Sequence, residues 1–438
     1  MQIRLSTKVL AIASTLVAGC VSTVLAQSAS GGNSVTIPNS SIAKPLDAGV
    51  RFHTNLQILG SPGNFSGAPQ FSGPPFPGYF YEDPASIACI YNLQPGGPGC
   101  NPNVVHSNPR GGSRAIAIVD AFDDPNAYTD LAAFSAQFGL EPVGNRNFSV
   151  VFAPAGGATP GSCTGPATRP PVDPTGGWEI EESLDIEWAH AMAPEATLYL
   201  VEAQSNYNTD LLCAVTIASG LVQKAGGGEV SMSWGGGEFP QETALDSIFT
   251  MRGVVYLAAA GDGPGVIYPS ASPNVVSVGG TSVSRNPITG NFIREIDWQD
   301  GGSGPSAYES RPSYQNGIAS IVGSQRGTPD VAADANPYTG VWVLDNFVVP
   351  EFGTTYCGGT PCWLIVGGTS VATPMWAGIV NAAGSLAAST QAELARLYGN
   401  SHEAFTDITQ GSCGPYIGYS ASPGWDFCTG LGSPNFGR

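Results

Sequence analysis

Charge is scarce in this chain, and positive charge most of all. Only 11% of the 438 residues are charged, against about 25% in a typical soluble domain. Acidic residues outnumber Lys and Arg by 34 to 16, and lysine occurs only at positions 8, 44 and 224. Because a nucleic-acid partner requires clustered cations to neutralise its phosphates, we exclude that class of function. A net charge of −18 suits an acidic medium, since protonation of the carboxylates removes self-repulsion.

Long apolar runs are also missing, and none approaches the ~20 residues that span a bilayer, so we predict no membrane span. The N-terminus has the form of an export signal, with Arg4 and Lys8 before an apolar run and a small-residue cleavage site at Ala26. We therefore predict a signal peptide over 1–26 and a secreted protein. Alternatively, the lipobox-like sequence that ends at Cys20 predicts a lipid anchor at the cell envelope.

Metal-ligating spacings of cysteine and histidine are absent. No Cys-x-x-Cys occurs and the four histidines are scattered, so the sequence does not predict zinc. Nine cysteines are present, and eight follow the signal region, an even number typical of an exported protein with disulfide bonds. The sequence does not fix their pairing, but proximity along the chain favours Cys89–Cys100, Cys163–Cys213, Cys357–Cys362 and Cys413–Cys428.

The chain divides by composition near residue 83. Residues 27–82 are rich in Gly, Pro, Ser and Asn, which predicts a leader or short propeptide without a core of its own. Over 83–438, alternating strands and helices predict an α/β domain with a doubly wound, mainly parallel sheet and long loops. The predicted strands are 115–120, 196–201, 229–234, 254–260 and 275–278, and the predicted helices are 129–138, 179–192, 210–224, 241–251 and 371–383.

A candidate nucleophile lies in the sequence Gly-Gly-Thr-Ser-Val-Ala-Thr-Pro at 367–374. Ser370 stands where a glycine-rich strand end turns into a helix, and Pro374 is predicted in the first helical turn. The N-terminus of that helix would stabilise an oxyanion formed beside the serine. The alternative is a serine that only caps the helix.

A pair of carboxyl groups lies on the predicted helix 179–192. Glu181 and Asp185 are four residues apart and therefore share one face, about 40° from each other. Like charges at this spacing repel unless they share a proton, and a pair that shares a proton can act as a base at acid pH. The alternative is a solvated acidic face that includes Glu182 and Glu187. His190, about 180° from Glu181 around the helix, is predicted to be structural.

Further motifs follow the carboxyl pair in a fixed order and carry a resemblance. They are Ser-Trp-Gly-Gly at 233–236, Ala-Ala-Ala-Gly-Asp at 258–262, Gly-Gly-Thr at 279–281, Phe-Thr-Asp-Ile-Thr at 405–409 and the stretch from Ser422 to Gly432. Together with Gly368-Thr369-Ser370 they resemble the sedolisins, the serine-carboxyl peptidases related to subtilisins, over about 87–434. The resemblance implies a subtilisin-like single catalytic domain with a calcium-binding C-terminal region.

The resemblance also implies catalytic roles. Ser370 would be the nucleophile and Glu181 the general base that later protonates the leaving amine. Asp185 would orient Glu181 and share its proton. Asp262 matches the oxyanion-hole position, where a carboxyl group donates a hydrogen bond only when protonated, which favours activity at acid pH.

Supporting residues are implied in the same way. Asp120, at the end of a predicted strand, would extend the acidic hydrogen-bond network together with Trp234. Ser233, Gly235 and Gly236 would offer backbone groups to an extended substrate. For Asp120 the alternative is an ordinary carboxylate at a strand end.

The metal site that the resemblance implies lies near the C-terminus. Asp407 and Asp426 would supply carboxylates, and Ile408, Ser422 and Gly424 would supply backbone carbonyls. Such oxygen ligands suit one structural Ca²⁺. The alternative is a turn without a metal.

The sequence as a whole predicts a secreted, monomeric serine-carboxyl endopeptidase that cleaves polypeptides at acid pH. The alternatives are a tripeptidyl exopeptidase of the same family, a peptide-binding pseudoenzyme and a histidine-dependent subtilisin-like enzyme. Sedolisins usually carry a long folded prosegment that blocks the site. Here the segment 27–82 is short, so either the enzyme folds without a prodomain or this leader substitutes for one.

Overall fold

The computed structural model describes residues 35–59, 81–93, 101–102, 105, 107–286, 291–347, 362–385, 387–399, 404–414 and 418–435. The predicted signal peptide and Cys20 lie outside these residues. Strands and helices are numbered below in chain order.

The helices are α1 (Pro84–Ile90), α2 (Ala127–Phe138), α3 (Gly177–Met192), α4 (Asn208–Lys224), α5 (Ala319–Val322), α6 (Thr369–Ala382) and α7 (Thr390–Gly399). The strands are β1 (Val35–Thr36), β2 (His53–Thr54), β3 (Gln57–Leu59), β4 (Ala115–Ala121), β5 (Phe148–Phe152), β6 (Ala155–Gly156), β7 (Cys163–Thr164), β8 (Thr197–Ala203), β9 (Gly228–Met232), β10 (Trp234–Gly237), β11 (Val254–Ala259), β12 (Ile267–Tyr268), β13 (Val276–Arg285), β14 (Phe292–Asp297), β15 (Gly304–Ser310), β16 (Gln325–Thr328), β17 (Val331–Asp334), β18 (Val341–Leu344), β19 (Trp363–Gly367), β20 (Phe405–Thr406), β21 (Ser412–Cys413), β22 (Tyr419–Ser420) and β23 (Ser433–Pro434).

The central sheet has the strand order β14-β13-β11-β9-β4-β8-β5, with β17 paired to β13. All of its pairings are parallel except that of β13 with β14. Strands such as β4 and β11 are apolar along nearly their whole length because both faces of the sheet are covered. The predicted doubly wound, mainly parallel α/β fold is confirmed.

Helices bury both faces of this sheet. Ile116 and Ile118 of β4 pack into a core with α2, α3 and α6, whereas Ala117 and Val119 pack on the other face with α4. Helices α3 and α6 approach closely at Gly378, where a Cβ atom would lie 2.5 Å from the Met192 Cβ. Within the described residues, none of the helices is both long and apolar enough to cross a bilayer.

One predicted helix, 241–251, is wrong. The chain forms two 3₁₀ turns there, Glu242–Ala244 and Asp246–Phe249. Polar side chains compete for the backbone in this stretch, and the Thr250 hydroxyl donates to the Ser247 carbonyl (2.7 Å). Such local hydrogen bonds offer the backbone an alternative to the α-helical ladder.

Part of the predicted leader is built into the domain. Strand β3 lies between β1 and β19 in an antiparallel sheet of order β1-β3-β19-β18. Leu56 and Ile58 are fully buried in the core that contains α3 and α6. The described residues 35–59 therefore belong to the packed structure, in contrast to the expectation that the folded domain starts near residue 83.

Two of the predicted disulfide bonds, Cys163–Cys213 and Cys413–Cys428, are present. Cys89 and Cys362 are also disulfide-bonded. Their predicted partners, at positions 100 and 357, lie outside the described residues, so those two pairings stay predictions.

Candidate active site

The candidate nucleophile lies at the junction of β19 and α6. Gly368 makes the turn with φ of 108°, a conformation that favours glycine. Ser370 follows in the first turn of α6 and is fully buried. Pro374 lies further inside the helix than the sequence predicted. The carbonyl that its missing N–H leaves free is that of Ser370, which accepts a long hydrogen bond from the Ser233 hydroxyl (3.4 Å).

The carboxyl pair lies on α3, which packs against α6. Every residue of α3 is buried, so the alternative of a solvated acidic face is wrong, for Glu182 and Glu187 as well. Asp185 accepts a hydrogen bond from the Ser233 hydroxyl (2.8 Å). Ser233 thereby connects the acid helix to the nucleophile helix.

Burial dominates the protonation of this pair. It raises the pKa of Glu181 well above its usual range, and repulsion from Asp185 and Asp120 adds to the shift. The Ser370 hydroxyl lies close enough to oppose it, although its hydrogen bond of ordinary length goes to the Ser233 carbonyl (3.0 Å). Burial also raises the pKa of Asp185, against the hydrogen bond from Ser233. Carboxyls held in this way retain protons at pH values where free ones lose them.

Asp120 continues the cluster at the carboxyl end of β4, opposite Glu202 of β8. Its pKa is raised by burial and by repulsion from Asp185 and Glu202. The Trp234 indole donates to the Val119 carbonyl (2.6 Å) and not to the Asp120 carboxyl. Trp234 thus supports the backbone beside Asp120, and the role predicted for the two residues in an acidic hydrogen-bond network stays a prediction. Sequence reasoning missed Glu202, whose signal is a lone acid at the end of an apolar strand.

Asp262 follows β11 and faces the turn before the nucleophile. Its Oδ1 accepts hydrogen bonds from the backbone N–H (2.8 Å) and the hydroxyl (2.9 Å) of Thr369. Its Oδ2 is buried without a hydrogen-bond partner among the described residues. Burial raises the pKa of Asp262 to about 8, and the hydrogen bonds from Thr369 oppose the shift. A protonated Oδ2 can therefore donate to a neighbouring oxygen below that pH.

A stretch of the chain itself occupies the cleft between these groups. The Ser370 N–H donates to the Asn55 carbonyl (3.1 Å), and the Asn55 N–H donates to the Ser370 hydroxyl (3.1 Å). A Cβ at Gly368 would lie 2.1 Å from the Asn55 carbonyl oxygen and 2.5 Å from the Asp262 Oδ2. The Asn55 carbonyl therefore accepts from the Ser370 N–H and lies in the neighbourhood of the Asp262 carboxyl.

The predicted substrate-binding backbone contacts this stretch. Strand β10 pairs antiparallel with β2, with Gly235 opposite His53. The Ser233 carbonyl accepts from the Asn55 side-chain amide (3.3 Å). Gly236 pairs on the opposite edge with Tyr268 of β12. All three predicted residues adjoin the bound strand, since a Cβ at Gly236 would lie 3.1 Å from the Arg51 carbonyl oxygen.

The cleft continues beyond Asn55 on the C-terminal side. Gln57 pairs with Gly367 and Ile58 with Val366 of β19. A cavity of about 420 Å³ opens there, lined by residues that include Gln57, Asp262 and Asp300. The site therefore has room for side chains on the C-terminal side of the peptide bond that follows Asn55.

Neither described histidine has a hydrogen bond to the nucleophile. His190 shares a hydrogen bond with the Glu141 carbonyl (2.8 Å), and burial lowers its pKa. The ring of His53 contacts the neighbouring Thr54 carbonyl (3.2 Å). The other two histidines, at positions 106 and 402, lie outside the described residues.

Four of the five predicted metal ligands are joined by hydrogen bonds in two pairs, in the C-terminal loops. The Gly424 N–H donates to the Asp407 carboxylate (2.9 Å), and the Ser422 N–H donates to the Asp426 carboxylate (2.8 Å). Asp297 is buried and lies near Asp426. This oxygen-rich set fits a hard cation. Asp297 was not predicted from the sequence.

Comparisons with known proteins agree with this geometry. The subtilase family (peptidase S8) matches residues 173–412, which is more than half of the chain. The chain belongs to the subtilase family. It is 34% identical to kumamolisin from Bacillus sp. (strain MN-32) over 364 residues, which cover 74% of this chain and 59% of that protein. It is 26% identical to sedolisin from Pseudomonas sp. (strain 101) over 299 residues, which cover 59% and 47%.

The solved structure of Pseudomonas sedolisin, a serine-carboxyl proteinase complexed with pseudo-iodotyrostatin, has the same fold. Its TM-score is 0.62 at 22% identity, and the match covers 84% of this chain and 96% of that one. These similarities support the sedolisin branch of the subtilases. The chain spans about three fifths of kumamolisin and about half of the curated sedolisin.

Proposed function

We propose that this chain is a serine-carboxyl endopeptidase that acts at acid pH. The observation that carries the proposal is the arrangement around Ser370. A buried pair of carboxyl groups lies on the adjoining helix, and the Asp262 carboxyl, whose pKa burial raises to about 8, lies across the turn from the serine. This arrangement matches nucleophile, base and oxyanion donor in acyl transfer.

In the proposed reaction Ser370 Oγ attacks the scissile carbonyl carbon and gives its proton to Glu181. Asp185 supplies the second carboxyl group of the pair and shares a proton with Glu181. The oxyanion is stabilised by the Ser370 N–H and by the Asp262 carboxyl. Glu181 then protonates the leaving amine, and water releases the acyl group by the same steps in reverse. Repulsion from Asp120, which itself lies beside Glu202, resists the ionisation of Glu181.

Endopeptidase activity is favoured over tripeptidyl release by the length of the cleft. Phe52 is the fourth residue on the N-terminal side of the Asn55–Leu56 bond, and it is still held in the cleft. It exchanges hydrogen bonds with Asn206 and stacks on Trp234. An exopeptidase that removes tripeptides requires a wall at that distance. The cleft here accepts a chain that extends further.

The test is hydrolysis of an N-acetylated peptide and of denatured protein between pH 2 and 8, with products identified by mass. We expect cleavage that peaks at acid pH and acts on the blocked peptide. Cleavage restricted to free N-termini in steps of three residues would establish the exopeptidase instead. A folded protein that cleaves neither substrate at any pH would be a peptide-binding pseudoenzyme.

We propose further that one Ca²⁺ binds the C-terminal loops through Asp407, Asp426 and the carbonyls of Ile408, Ser422 and Gly424. When bound, the ion would cross-link these loops. We expect a chelator to lower the Tm by about 5 °C or more, since binding to the folded state alone stabilises that state.

The Asp407→Asn variant should have the lower Tm already and should not respond to chelator. Asp47→Asn, which changes a partly exposed carboxylate elsewhere, is the matched control and should respond as the wild type does. A wild-type Tm unchanged by the chelator would rule out the proposed ion.

Secretion of a monomer that acts on polypeptides completes the proposal. Cys163–Cys213 and Cys413–Cys428 support it, because disulfide bonds persist in oxidising compartments. A lipid anchor at Cys20 is the alternative.

A further inference from the structure

We propose that the cavity beside β3 binds the side chain of the second substrate residue after the cleaved bond, and that Asp300 makes this cavity select arginine or lysine. The inference rests on the proposed function and names the class of substrate that the same site takes. The strand 51–59 lies in the cleft in the manner of a substrate, with the Asn55 carbonyl on the Ser370 N–H (3.1 Å). Its residues therefore mark where the residues of a bound peptide lie.

Strand pairing fixes the place of that second residue. Gln57, two residues after Asn55, pairs antiparallel with Gly367 of β19, the strand that leads to the nucleophile. Leu56 and Ile58 are fully buried in the core on one side of β3, so alternation along the strand turns Gln57 to the other side. There Gln57 lines the cavity of about 420 Å³. Because this volume stays open with Gln57 in place, a longer side chain fits at the same position.

The walls of the cavity suit the stem of a long side chain. Trp298 is buried, and Pro264, Pro337 and Tyr338 add further apolar surface to the lining. Lysine and arginine bury their methylene stems along such surfaces while the charged head stays in contact with water. The head also gains when it lies over an aromatic ring. The cavity therefore favours an amphipathic side chain over a compact one.

Asp300 supplies the negative charge of the cavity. It is exposed to solvent, and within the described part of the chain no group donates a hydrogen bond to its carboxylate or pairs with it. Burial raises the pKa of Asp262, the second acid of the lining, to about 8, so that carboxyl is neutral at acid pH. The Asn336 side-chain oxygen is occupied by the Tyr338 N–H (3.0 Å). The lining contains no Lys or Arg, so Asp300 is the free partner for a substrate cation.

The preference for a cation depends on the ionisation of Asp300. Partial burial raises its pKa, and Asp262 is the titratable group of the lining with which it interacts through charge. An ion pair at a partly exposed position changes affinity by about 3- to 10-fold. The preference should be full above the Asp300 pKa, should decline as the pH falls through it, and should vanish where Asp300 is protonated.

The experiment measures the substrate preference of the purified full-length protein. Denatured protein is digested briefly at several acidic pH values, and the cut bonds are identified by mass. We expect Arg and Lys to be enriched about 3-fold at the second position after the cut. Two acetylated peptides that share one of the cut sequences then carry Arg or its neutral isostere citrulline at that position. The Arg peptide should have a kcat/KM about 3- to 10-fold higher, through a lower KM.

Charge variants identify the residue that carries the preference. Asp300→Asn should bring the ratio of kcat/KM for the Arg and citrulline peptides to about 1 at every pH, because the amide has no charge. Asp300→Lys should reverse the order, so that Glu is preferred to Gln at that position. Glu195→Gln is the matched control, because it removes an exposed carboxylate that precedes β8 and does not line the cavity. It should keep the preference of the wild type.

The outcomes distinguish this proposal from the proposed function. Cleavage of denatured protein without enrichment at the second position, or the same preference for Arg in wild type and Asp300→Asn, would overturn the role of Asp300 and leave the peptidase standing. A preference that is lost equally in Glu195→Gln would assign the effect to net charge and would overturn it as well. A folded protein that hydrolyses no substrate at any pH would contradict both proposals.

Discussion

Replacing Ser370 by Ala lowers kcat on denatured protein by about 10⁵-fold at the acid optimum, and Glu181→Gln lowers it by about 10²- to 10⁴-fold or more. The serine variant loses the atom that forms the acyl-enzyme. The amide of the Glu181→Gln variant keeps the size of the side chain but cannot accept and return a proton. Because the two groups act in one step, the double variant should be little worse than Ser370→Ala. The measurement is kcat at several acidic pH values.

Two neighbouring residues provide the controls for this prediction. Glu182 is as deeply buried as Glu181 on the same helix, but its charged neighbours are Glu202, Asp124, Asp120 and Glu179, and Ser370 acts on Glu181 alone of the two. Glu182→Gln should therefore keep most of the activity. His190→Ala should also keep most of the activity, because the His190 ring shares a hydrogen bond with the Glu141 carbonyl. Activity lost in His190→Ala but kept in Glu181→Gln would support a histidine-dependent enzyme instead.

The sequence predicted those parts of the structure that depend on local pattern. The apolar run that ends in Asp120 and the acid helix are both present, because burial on both sides of a sheet selects such runs. Asp120 and Asp262 reach one edge of the parallel sheet because β4 and β11 end there. Glu181 comes instead from helix α3, and Ser370 follows β19 of the separate antiparallel sheet. Their catalytic roles stay predictions until the variants are measured.

What the sequence did not predict depends on contacts between distant segments. Residues 51–59 have the composition of a leader, and nothing in them indicates pairing with β10 and β19. Strand pairing across such separations is decided by the shape of the cleft and by the burial of Leu56 and Ile58. The Trp234 indole likewise donates to the Val119 carbonyl, a partner that the hydrophobic periodicity of the sequence does not reveal.

Substitution of Asp262 is the second change expected to have a large effect on activity, and it also affects the pH optimum. Asp262→Ala removes one oxyanion donor and should lower kcat by about 10²- to 10³-fold at acid pH. Asp262→Asn should keep activity, because the amide oxygen can accept both hydrogen bonds from Thr369 while the NH₂ group donates to the oxyanion. The amide donates at every pH, whereas the carboxyl donates only when protonated.

The sign of the pH effect follows from burial. In the occupied cleft, burial raises the pKa of Asp262 to about 8, so the carboxyl donates below that pH and loses the proton above it. Once the cleft opens to water, burial falls and the pKa moves back toward its usual range. The alkaline limb of the wild-type kcat/KM profile should therefore lie below pH 8. In Asp262→Asn that limb should move to higher pH, up to the point where the carboxyl pair itself ionises.

Asp300→Asn provides the matched control, because Asp300 lines the same cavity and acts on Asp262 only through charge. Removing that charge should lower the Asp262 pKa, move the alkaline limb slightly to lower pH and leave the acid plateau unchanged. Opposite movements of the limb in Asp262→Asn and Asp300→Asn would identify Asp262 as the titrating donor. A limb at the same pH in wild type and Asp262→Asn would instead assign the acid optimum to the Glu181–Asp185 pair alone, with Asp262 as a fixed acceptor for Thr369.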